Sequence, residues 1–381
     1  MLLTYRYRLL PKRSQHRALE ALLESQRQLY NAALEERLDA YRKRGLTRSY
    51  MDQTKALTEW RRSDPEAASY PLCLQRATLR RLDCAYASFF RRMKDGAKPG
   101  FPRFRGKGWF DSFGFSEFEG ITLRRSRLHF RGMPGGIKVH FHREIPAASS
   151  IRSCSFRRDS QGWTVSFAVA TPASERASLH RAVGVDLGIS RFAALSDGGT
   201  IPSLRAARTA ERRLRLAQRA LARKKPVSSG RRKARAIVAR CHQSVARKRA
   251  EHLHQASARL IRDYDVVAVE KLNVEGLARS ILAKDVRDAS WARFISMLRY
   301  KAEKAGAQLL EVDPRNTSQD CSSCGRKVRK ELAERLHDCP HCGLVIDRDL
   351  NAARNVLRRA GVGPGLLNAA VEASVQAETS D

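Results

Sequence analysis

The sequence lacks the features that would place this protein in a membrane or outside the cell. No stretch reaches the roughly 18 consecutive apolar residues that a membrane-spanning helix needs. The first residues, MLLTYRYRLLPKR, carry basic side chains where a secretory signal would have an uninterrupted apolar core. These two absences predict a cytoplasmic protein that does not act on membranes.

Acidic residues are scarce relative to basic residues. The 381-residue chain has 73 Lys and Arg against 39 Asp and Glu, which gives a net charge of +34. In a compact chain this excess repels itself, and binding to a polyanion relieves the repulsion. Because membrane spans are missing, the composition favours nucleic acid as that polyanion. With 42% apolar residues the chain can bury a core, and its length suggests two or three domains.

Cysteines are too few outside one segment for a disulfide-rich scaffold. Four of the eight are isolated and are expected to be packed thiols: Cys73, Cys84, Cys154 and Cys241. The other four form two C-x-x-C pairs separated by fourteen residues: Cys321 and Cys324, then Cys339 and Cys342. Four thiolates at this spacing suit one tetrahedral Zn²⁺ and leave no open position, which predicts a structural zinc. His337 and His341 lie close by, and we interpret them as solvated histidines.

Apolar periodicity predicts different structures for the two halves of the chain. Alternation from Leu3 to Leu9 predicts a strand, and helical spacing after Ser14, a candidate N-cap, and again from Leu79 to Met93 predicts a helical domain. Within residues 109 to 172, apolar and polar residues alternate in short runs that turn sequences separate, which predicts an antiparallel β module. In the second half, buried strands are expected at 182–188, 192–195, 266–270 and 308–312, with helices at 291–305 and from about 349 to 359.

Three acidic residues occupy the ends of elements in the second half. Asp186 and Glu270 end apolar strands, and Asp349 opens the last predicted helix. Carboxylates gathered at one sheet edge repel each other unless a divalent cation neutralises them. Two Mg²⁺ ions about 4 Å apart can hold the attacking and leaving oxygens of a phosphodiester. Each acid taken alone is as readily a turn former, a cap or a solvated strand end, and Asp347 is an alternative to Asp349.

Basic residues concentrate in two stretches that are candidates for phosphate contact. Residues 205–260 hold eighteen Lys and Arg against two Glu, and a break at 226–230 divides them into a helical hairpin. The residues expected to contact nucleic acid flank that break: Arg223, Lys224, Lys225, Arg231, Arg232 and Lys233. In the segment 98–107, Arg103, Arg105 and Lys107 are interleaved with Phe101 and Phe104, which suits phosphate contact and base stacking, or equally aromatic packing on the β module.

Several motifs together resemble the TnpB family of transposon-encoded, RNA-guided endonucleases, which are related to type V CRISPR effectors. They are GVDLGI at 184–189, VE at 269–270, TSQDCSSCG at 317–325, CPHCG at 339–343 and DRDLNAARN at 347–355. SFFRR at 88–92 and KPGFPRF at 98–104 are similar to the family's N-terminal half. The resemblance implies a RuvC-type, RNase H-like nuclease whose metal-binding acids are Asp186, Glu270 and Asp349.

The resemblance also implies partners and a domain plan. It implies a guide (omega) RNA and a double-stranded target DNA, cut beside a short adjacent motif that the N-terminal modules read. Tyr50, Gln75 and Arg76 fall in the helical part of those modules. The expected fold is multi-domain α+β: a wedge-like β-barrel (1–10 and 97–178), a helical recognition domain (11–96), the nuclease domain (179–315 and 345–361) with the basic hairpin (203–260), an inserted zinc ribbon (316–344) and a disordered tail (362–381).

Two other functions share parts of this pattern. A guide-directed DNA-binding repressor without cleavage would lack one of the three acids, and none is missing. An unguided nuclease or transposase would keep the acids but would not need a bound RNA.

Overall fold

The computed structural model describes residues 1–145, 150–172, 181–188, 190–203, 206–271, 290–331 and 334–362. The chain divides into two compact units, Met1–Thr171 and Pro172–Asp381. The expected tail lies outside the described residues from 363 onward. Within the described residues, no helix combines the length and apolar character needed to cross a membrane.

The first unit contains one antiparallel sheet of seven strands. They are β1 (Leu2–Leu10), β2 (Ser112–Phe115), β3 (Ile121–Arg124), β4 (Arg127–Phe130), β5 (Ile137–His140), β6 (Ser150–Asp159) and β7 (Gly162–Ala170), in the spatial order β2-β6-β7-β1-β5-β4-β3. The strand that the alternation from Leu3 to Leu9 predicted is confirmed, and it lies in the middle of the sheet. In the described part of the chain the sheet is open at β2 and β3, whereas we expected a barrel. At the β2 edge, the Arg81 side chain donates to the Ser112 carbonyl at 2.9 Å.

Four helices complete this unit: α1 (Arg13–Arg44), α2 (Tyr50–Ser63), α3 (Pro65–Ser69) and α4 (Leu72–Lys94). The predicted helical segments at 14–34 and 79–93 are confirmed, but Ser14 is not the N-cap. Helix α1 begins at Arg13, and the backbone N–H of Lys12 donates to the Gln15 side chain at 3.0 Å. Because Gln15 supplies this cap bond, Ser14 lies inside the helix.

The second unit is built on a mixed sheet of five strands with the order β10-β9-β8-β11-β12. The strands are β8 (Ala182–Leu187), β9 (Arg191–Leu195), β10 (Thr200–Pro202), β11 (Val266–Glu270) and β12 (Gln308–Val312). Strand β11 pairs in parallel with both β8 and β12, and β9 runs antiparallel to β8. All five residues of β11 are buried, as expected of a central strand in a parallel arrangement.

Helices pack on both faces of this sheet. The helices of this unit are α5 (Ala206–Ala222), α6 (Ser229–Asp263), α7 (Trp291–Ala305) and α8 (Arg348–Arg359), of which α5 packs on α6. Apolar residues of α6 and α7, including Leu260 and Phe294, form one core with Val183, Val185 and Val267. Helices α5 and α6 form the predicted hairpin, whose tip lies at 223–228. A short hairpin of β13 (Leu336–Asp338) and β14 (Val345–Asp347) leads directly into α8.

Candidate active site

Asp186 and Glu270 lie on adjacent parallel strands at the same sheet edge. The pairing of β8 with β11 places Val185 opposite Val269, so the next residues along the two strands are Asp186 and Glu270. Side chains alternate between faces along a strand. Val183, Val185, Val267 and Val269 all point into the core shared with α6 and α7. Asp186 and Glu270 therefore share the opposite face.

Helix α8 covers that opposite face and brings Asp349 to it. Its contact with β8 is so close that a Cβ on Gly184 would lie 2.1 Å from the carbonyl oxygen of Ala353 and 2.8 Å from the amide nitrogen of Leu357. Both atoms belong to the backbone, so only glycine permits this approach. Ala352, Ala353 and Val356 of α8 are buried in the same contact. Asp349, in the first turn of α8, is thereby held beside the strand end that carries Asp186.

The electrostatics show that these carboxylates are near enough to affect each other. Burial, together with the negative charges of Glu270 and Asp349, raises the pKa of Asp186 to about 8. Burial also raises the pKa of Glu270, against a hydrogen bond from Thr317 that lowers it. Burial therefore disfavours the charged forms of Asp186 and Glu270, and a bound cation would offset this cost. The hard oxygen ligands therefore fit Mg²⁺.

Asp347 has a different position from Asp349. Asp347 is the N-cap of α8: its carboxylate accepts from the backbone N–H of Asp349 at 2.9 Å and of Leu350 at 3.2 Å, and it also pairs with Arg191. Burial acts to raise the pKa of Asp347, but the hydrogen bonds from Arg191 and the helix N-terminus hold it below its usual range. Asp349 has longer contacts, 3.7 Å to both Arg191 and Arg348. The Asp347 carboxylate is therefore engaged in capping and pairing, whereas the contacts of the Asp349 carboxylate with these arginines are longer.

The four clustered cysteines are brought together. Their sulfur atoms all lie within 4.8 Å of one another, with 3.6 Å from Cys321 to Cys342 and 3.7 Å from Cys324 to Cys339. A tetrahedral Zn²⁺ with Zn–S bonds of about 2.3 Å separates its ligands by about 3.8 Å, whereas a disulfide needs about 2.05 Å. The cluster therefore fits zinc. Gly325 and Gly343 adopt φ of 77° and 72°, the left-handed turns that close the two knuckles.

The predictions for one histidine, His337, and one cysteine, Cys84, need correction. His337 is fully buried beside Lys330 rather than solvated, because β13 packs it into the ribbon, whereas His341 is exposed as expected. Of the isolated cysteines, Cys154 is buried and Cys73 and Cys241 are half-buried, but Cys84 is exposed and is not a packed thiol.

The tip of the α5–α6 hairpin presents most of the basic residues predicted there to solvent. Arg223, Lys224, Lys225, Arg232 and Lys233 are exposed. Arg231 is half-buried, and it donates to the Lys224 carbonyl at 2.9 Å, so it stabilises the tip itself. These five cations, at the tip and at the start of α6, form a surface suited to phosphates.

The predicted contacts in the first unit divide into exposed and internal residues. Arg76, Arg103 and Lys107 are exposed, and half-buried Tyr50 lies under the guanidinium of Arg80. Gln75 is 1% exposed, and its side chain is bonded to Arg61 and to the Ala67 carbonyl. This structure does not support a nucleic-acid contact by Gln75, because no polar atom of its side chain reaches the surface.

Arg105 and the two phenylalanines also differ from the expectation. Asn31 binds both backbone polar groups of Arg105, whose side chain lies over Tyr30, so Arg105 is committed largely to internal contacts. Phe101 packs on Tyr86 and Phe89 of α4 rather than on the β module. Phe101 and Phe104 remain 44% and 54% exposed, and Phe90, which like Phe101 contacts Phe89, is 58% exposed. Exposed aromatic rings in a basic segment suit base stacking.

Sequence reasoning gave no role to three buried side chains around the site: Thr317, Asn351 and Asn355. All three lie within the quoted motifs TSQDCSSCG and DRDLNAARN. Two asparagines four residues apart, on the helix that carries a candidate metal ligand, share one helix face and are a signal that could have drawn attention to Asn351 and Asn355.

Comparisons with known proteins agree with this architecture. A family model described as "Probable transposase" (OrfB of IS605) matches residues 165–280, one described as "Cas12f1-like, TNB domain" matches 291–356, and a "Helix-turn-helix domain" model matches 1–45, where this structure has β1 and α1. A protein of Streptomyces pristinaespiralis named "Putative RNA-guided DNA endonuclease" is 32% identical over 364 residues, covering 93% of this chain and 88% of that protein. The chain belongs to the TnpB family.

Two further matches extend over most of the chain. InsQ of Escherichia coli K12, with the same descriptive name, is 26% identical over 321 residues and covers 79% of this chain and 76% of its own length. The cryo-EM structure of a Cas12f1–sgRNA–target DNA complex matches with a TM-score of 0.57 at 14% identity, covering 93% of this TnpB-family chain and 84% of that one. At that identity the match shows a shared fold.

Proposed function

We propose that this protein is an RNA-guided DNA endonuclease that cleaves double-stranded DNA beside a short adjacent motif. The convergence of Asp186, Glu270 and Asp349 on one face of the five-stranded sheet carries this proposal. The names of the Streptomyces and Escherichia relatives support it, since both are described as RNA-guided DNA endonucleases.

The second unit is proposed to be a RuvC-type, RNase H-like nuclease domain. Asp186, Glu270 and Asp349 would hold two Mg²⁺ ions, which supply an activated nucleophile and stabilise the leaving oxygen of a phosphodiester. Glu270 is 7% exposed, so its carboxylate is shielded from bulk water and interacts strongly with bound charge. Arg191 and Arg348, close to Asp349, limit the local negative charge that a phosphate would meet. The four-cysteine site would hold one structural Zn²⁺.

Guide RNA and target DNA are the proposed partners, and the protein is proposed to act in the cytoplasm. Phosphate contacts at the hairpin tip position a nucleic acid without reading its sequence. In guided nucleases the RNA reads the target by base pairing, while the protein reads the short adjacent motif. Arg76, Arg103, Lys107 and Tyr50 are candidates for nucleic-acid contact in the first unit.

The test expresses the protein together with its native flanking DNA and sequences any RNA that copurifies. The complex is then challenged with plasmid libraries that match or mismatch the guide. We expect cutting that follows the guide when the guide is changed. Cutting that ignores the guide would instead indicate an unguided nuclease, and guided binding without any cutting would indicate a repressor.

A further inference from the structure

Glu270 has a hydrogen-bond partner that comes from the segment between β12 and the first cysteine pair. The hydroxyl of Thr317 donates to one carboxylate oxygen of Glu270, and both residues are buried, at 4% and 7% exposure. The same hydroxyl lies 3.1 Å from the Pro314 carbonyl. A hydroxyl has one proton, and a bond to an ionised carboxylate is the stronger of the two.

Two asparagines of α8 fix the segment that carries Thr317. Asn355 donates to the Thr317 carbonyl at 2.8 Å and to the Asp320 carbonyl at 2.6 Å. Asn351 donates to the same Asp320 carbonyl at 2.8 Å and accepts from the backbone N–H of Ser322 at 2.8 Å. Both asparagines are fully buried. The helix that presents Asp349 therefore also determines where Thr317 lies.

Arg359, at the other end of α8, binds the same segment. Its guanidinium donates to the Asp320 carboxylate at 2.7 Å and to the Asp313 carbonyl at 3.0 Å. One helix thus holds the segment from Asp313 to Ser322 at several points, and Ser322 adjoins the zinc ligand Cys321. Such a rigid support can maintain the orientation of a single buried carboxylate.

We propose that Thr317 is the positioning residue of Glu270: its hydroxyl occupies one carboxylate oxygen and leaves the other directed to the metal. The proposal rests on the function proposed above, in which Glu270 is a metal ligand. Terminal carboxylate torsions are broad, so an unbonded Glu270 would sample orientations that do not bind metal. Partners that orient ligating carboxylates contribute about 10-fold to 100-fold to metal affinity or activity.

The experiment compares Thr317→Val, which removes the hydroxyl at similar volume, with Thr317→Ser, which retains it. Thr78→Val is the matched control, since Thr78 is also 4% exposed and its hydroxyl donates to a buried side chain, but in the first unit. Mn²⁺ binding to the full-length protein is measured by calorimetry, with Glu270→Gln as the baseline for other Mn²⁺ sites. Guided cleavage is titrated with Mg²⁺ in parallel.

For Thr317→Val we expect about 10-fold weaker Mn²⁺ binding and a similar rise in the Mg²⁺ needed for half-maximal cleavage. Thr317→Ser should restore both, and Thr78→Val should change neither. A Thr317→Val protein with unchanged Mn²⁺ affinity would overturn the proposal, even if it were less stable. If the parent bound Mn²⁺ through Glu270 but cut no DNA, the proposed function would fail while the role of Thr317 stood; if Glu270→Gln removed no Mn²⁺ binding, both would fail.

Discussion

At the scale of single residues, the site depends on charges and contacts that a small substitution can change. Asp186 is the most perturbed of the acids, because burial and two neighbouring carboxylates disfavour its charged form. Gly184, two residues earlier on the same face, allows α8 to approach the strand. Each residue gives a prediction that can be tested separately from cleavage.

Asp186→Asn should stabilise the metal-free protein at neutral pH. In the unfolded chain an Asp ionises near pH 4, whereas folding raises the pKa of Asp186 to about 8. Between these values the unfolded state releases its proton first, so the contribution of Asp186 to stability falls as pH rises from about 4 to 8. Thermal unfolding without divalent ions should show a higher Tm for Asp186→Asn at pH 7.5 and little difference at pH 4.

Asp263→Asn serves as the control for that comparison. Hydrogen bonding to Arg262 lowers the pKa of Asp263, so the same substitution there should not raise the Tm. If the Tm difference between Asp186→Asn and the parent protein did not grow from pH 4 to pH 7.5, the pKa of Asp186 would not be raised.

Gly184→Ala should displace α8 and reduce cleavage strongly. The added Cβ would meet backbone atoms at 2.1 and 2.8 Å, and overpacking of this kind typically costs about 1–3 kcal/mol. Gly230→Ala is the control, because a Cβ there makes an ordinary contact of 3.7 Å with the Lys224 side chain. Chemical denaturation and plasmid cleavage measure the two effects. Full cleavage activity in Gly184→Ala would mean that the close approach of α8 to β8 is not needed to place Asp349 in the site.

At the scale of elements, α8 links the zinc centre to the carboxylates. Its first residues follow β14 of the ribbon directly, and Asn351 and Asn355 bind the segment that leads to Cys321. A change in the ribbon should therefore be transmitted to both Glu270 and Asp349. Zinc bound at the four thiolates would contribute folding energy of its own.

Cys339→Ser should lose zinc and, with it, most cleavage. Metal analysis should find less than one zinc per chain, and plasmid cleavage should fall at least 10-fold, because α8 loses its anchor. Cys84→Ser, at an exposed cysteine outside the cluster, should change neither. Full cleavage by a zinc-depleted Cys339→Ser protein would refute the link between the two metal centres.

The α5–α6 hairpin should contribute salt-dependent affinity for nucleic acid. Replacing Lys224, Lys225 and Arg232 with Gln removes up to three phosphate contacts, so affinity should fall and the dependence of log K on log salt should become shallower by about 0.7–0.9 per lost contact. Lys304→Gln, exposed on α7, is the control. An unchanged salt slope in the triple variant would exclude the hairpin from the interface.

The elements themselves were largely predictable, whereas the contacts between them were not. Strands β11 and β12 and helix α7 occupy the predicted residues, because uninterrupted apolar runs and helical spacing define them locally. The bond from Thr317 to Glu270 spans 47 residues and depends on the path of α8, which no local pattern encodes. The burial of Gln75 was not predictable for a similar reason: its side chain is bonded to Arg61, fourteen residues away, and no local pattern indicates that contact.

At the scale of the whole molecule, the excess positive charge and the acidic site are complementary features. A net charge of +34 favours binding to nucleic acid of any sequence, while the proposed function requires three carboxylates to hold divalent cations. Family motifs predicted which acids belong together. The register of the DRDLNAARN motif favoured Asp349 over Asp347, and the structure adds that the Asp347 carboxylate is bonded to the helix N-terminus.

The measurement that tests the central claim most directly is guided plasmid cleavage by four single variants: Asp186→Ala, Glu270→Ala, Asp349→Ala and Asp347→Ala. Target binding is measured on the same complexes. The first three should bind target DNA and cut none of it, while Asp347→Ala, which loses a helix cap worth about 1 kcal/mol, should still cut. Cleavage that survives in Asp349→Ala and disappears in Asp347→Ala would contradict the site described here.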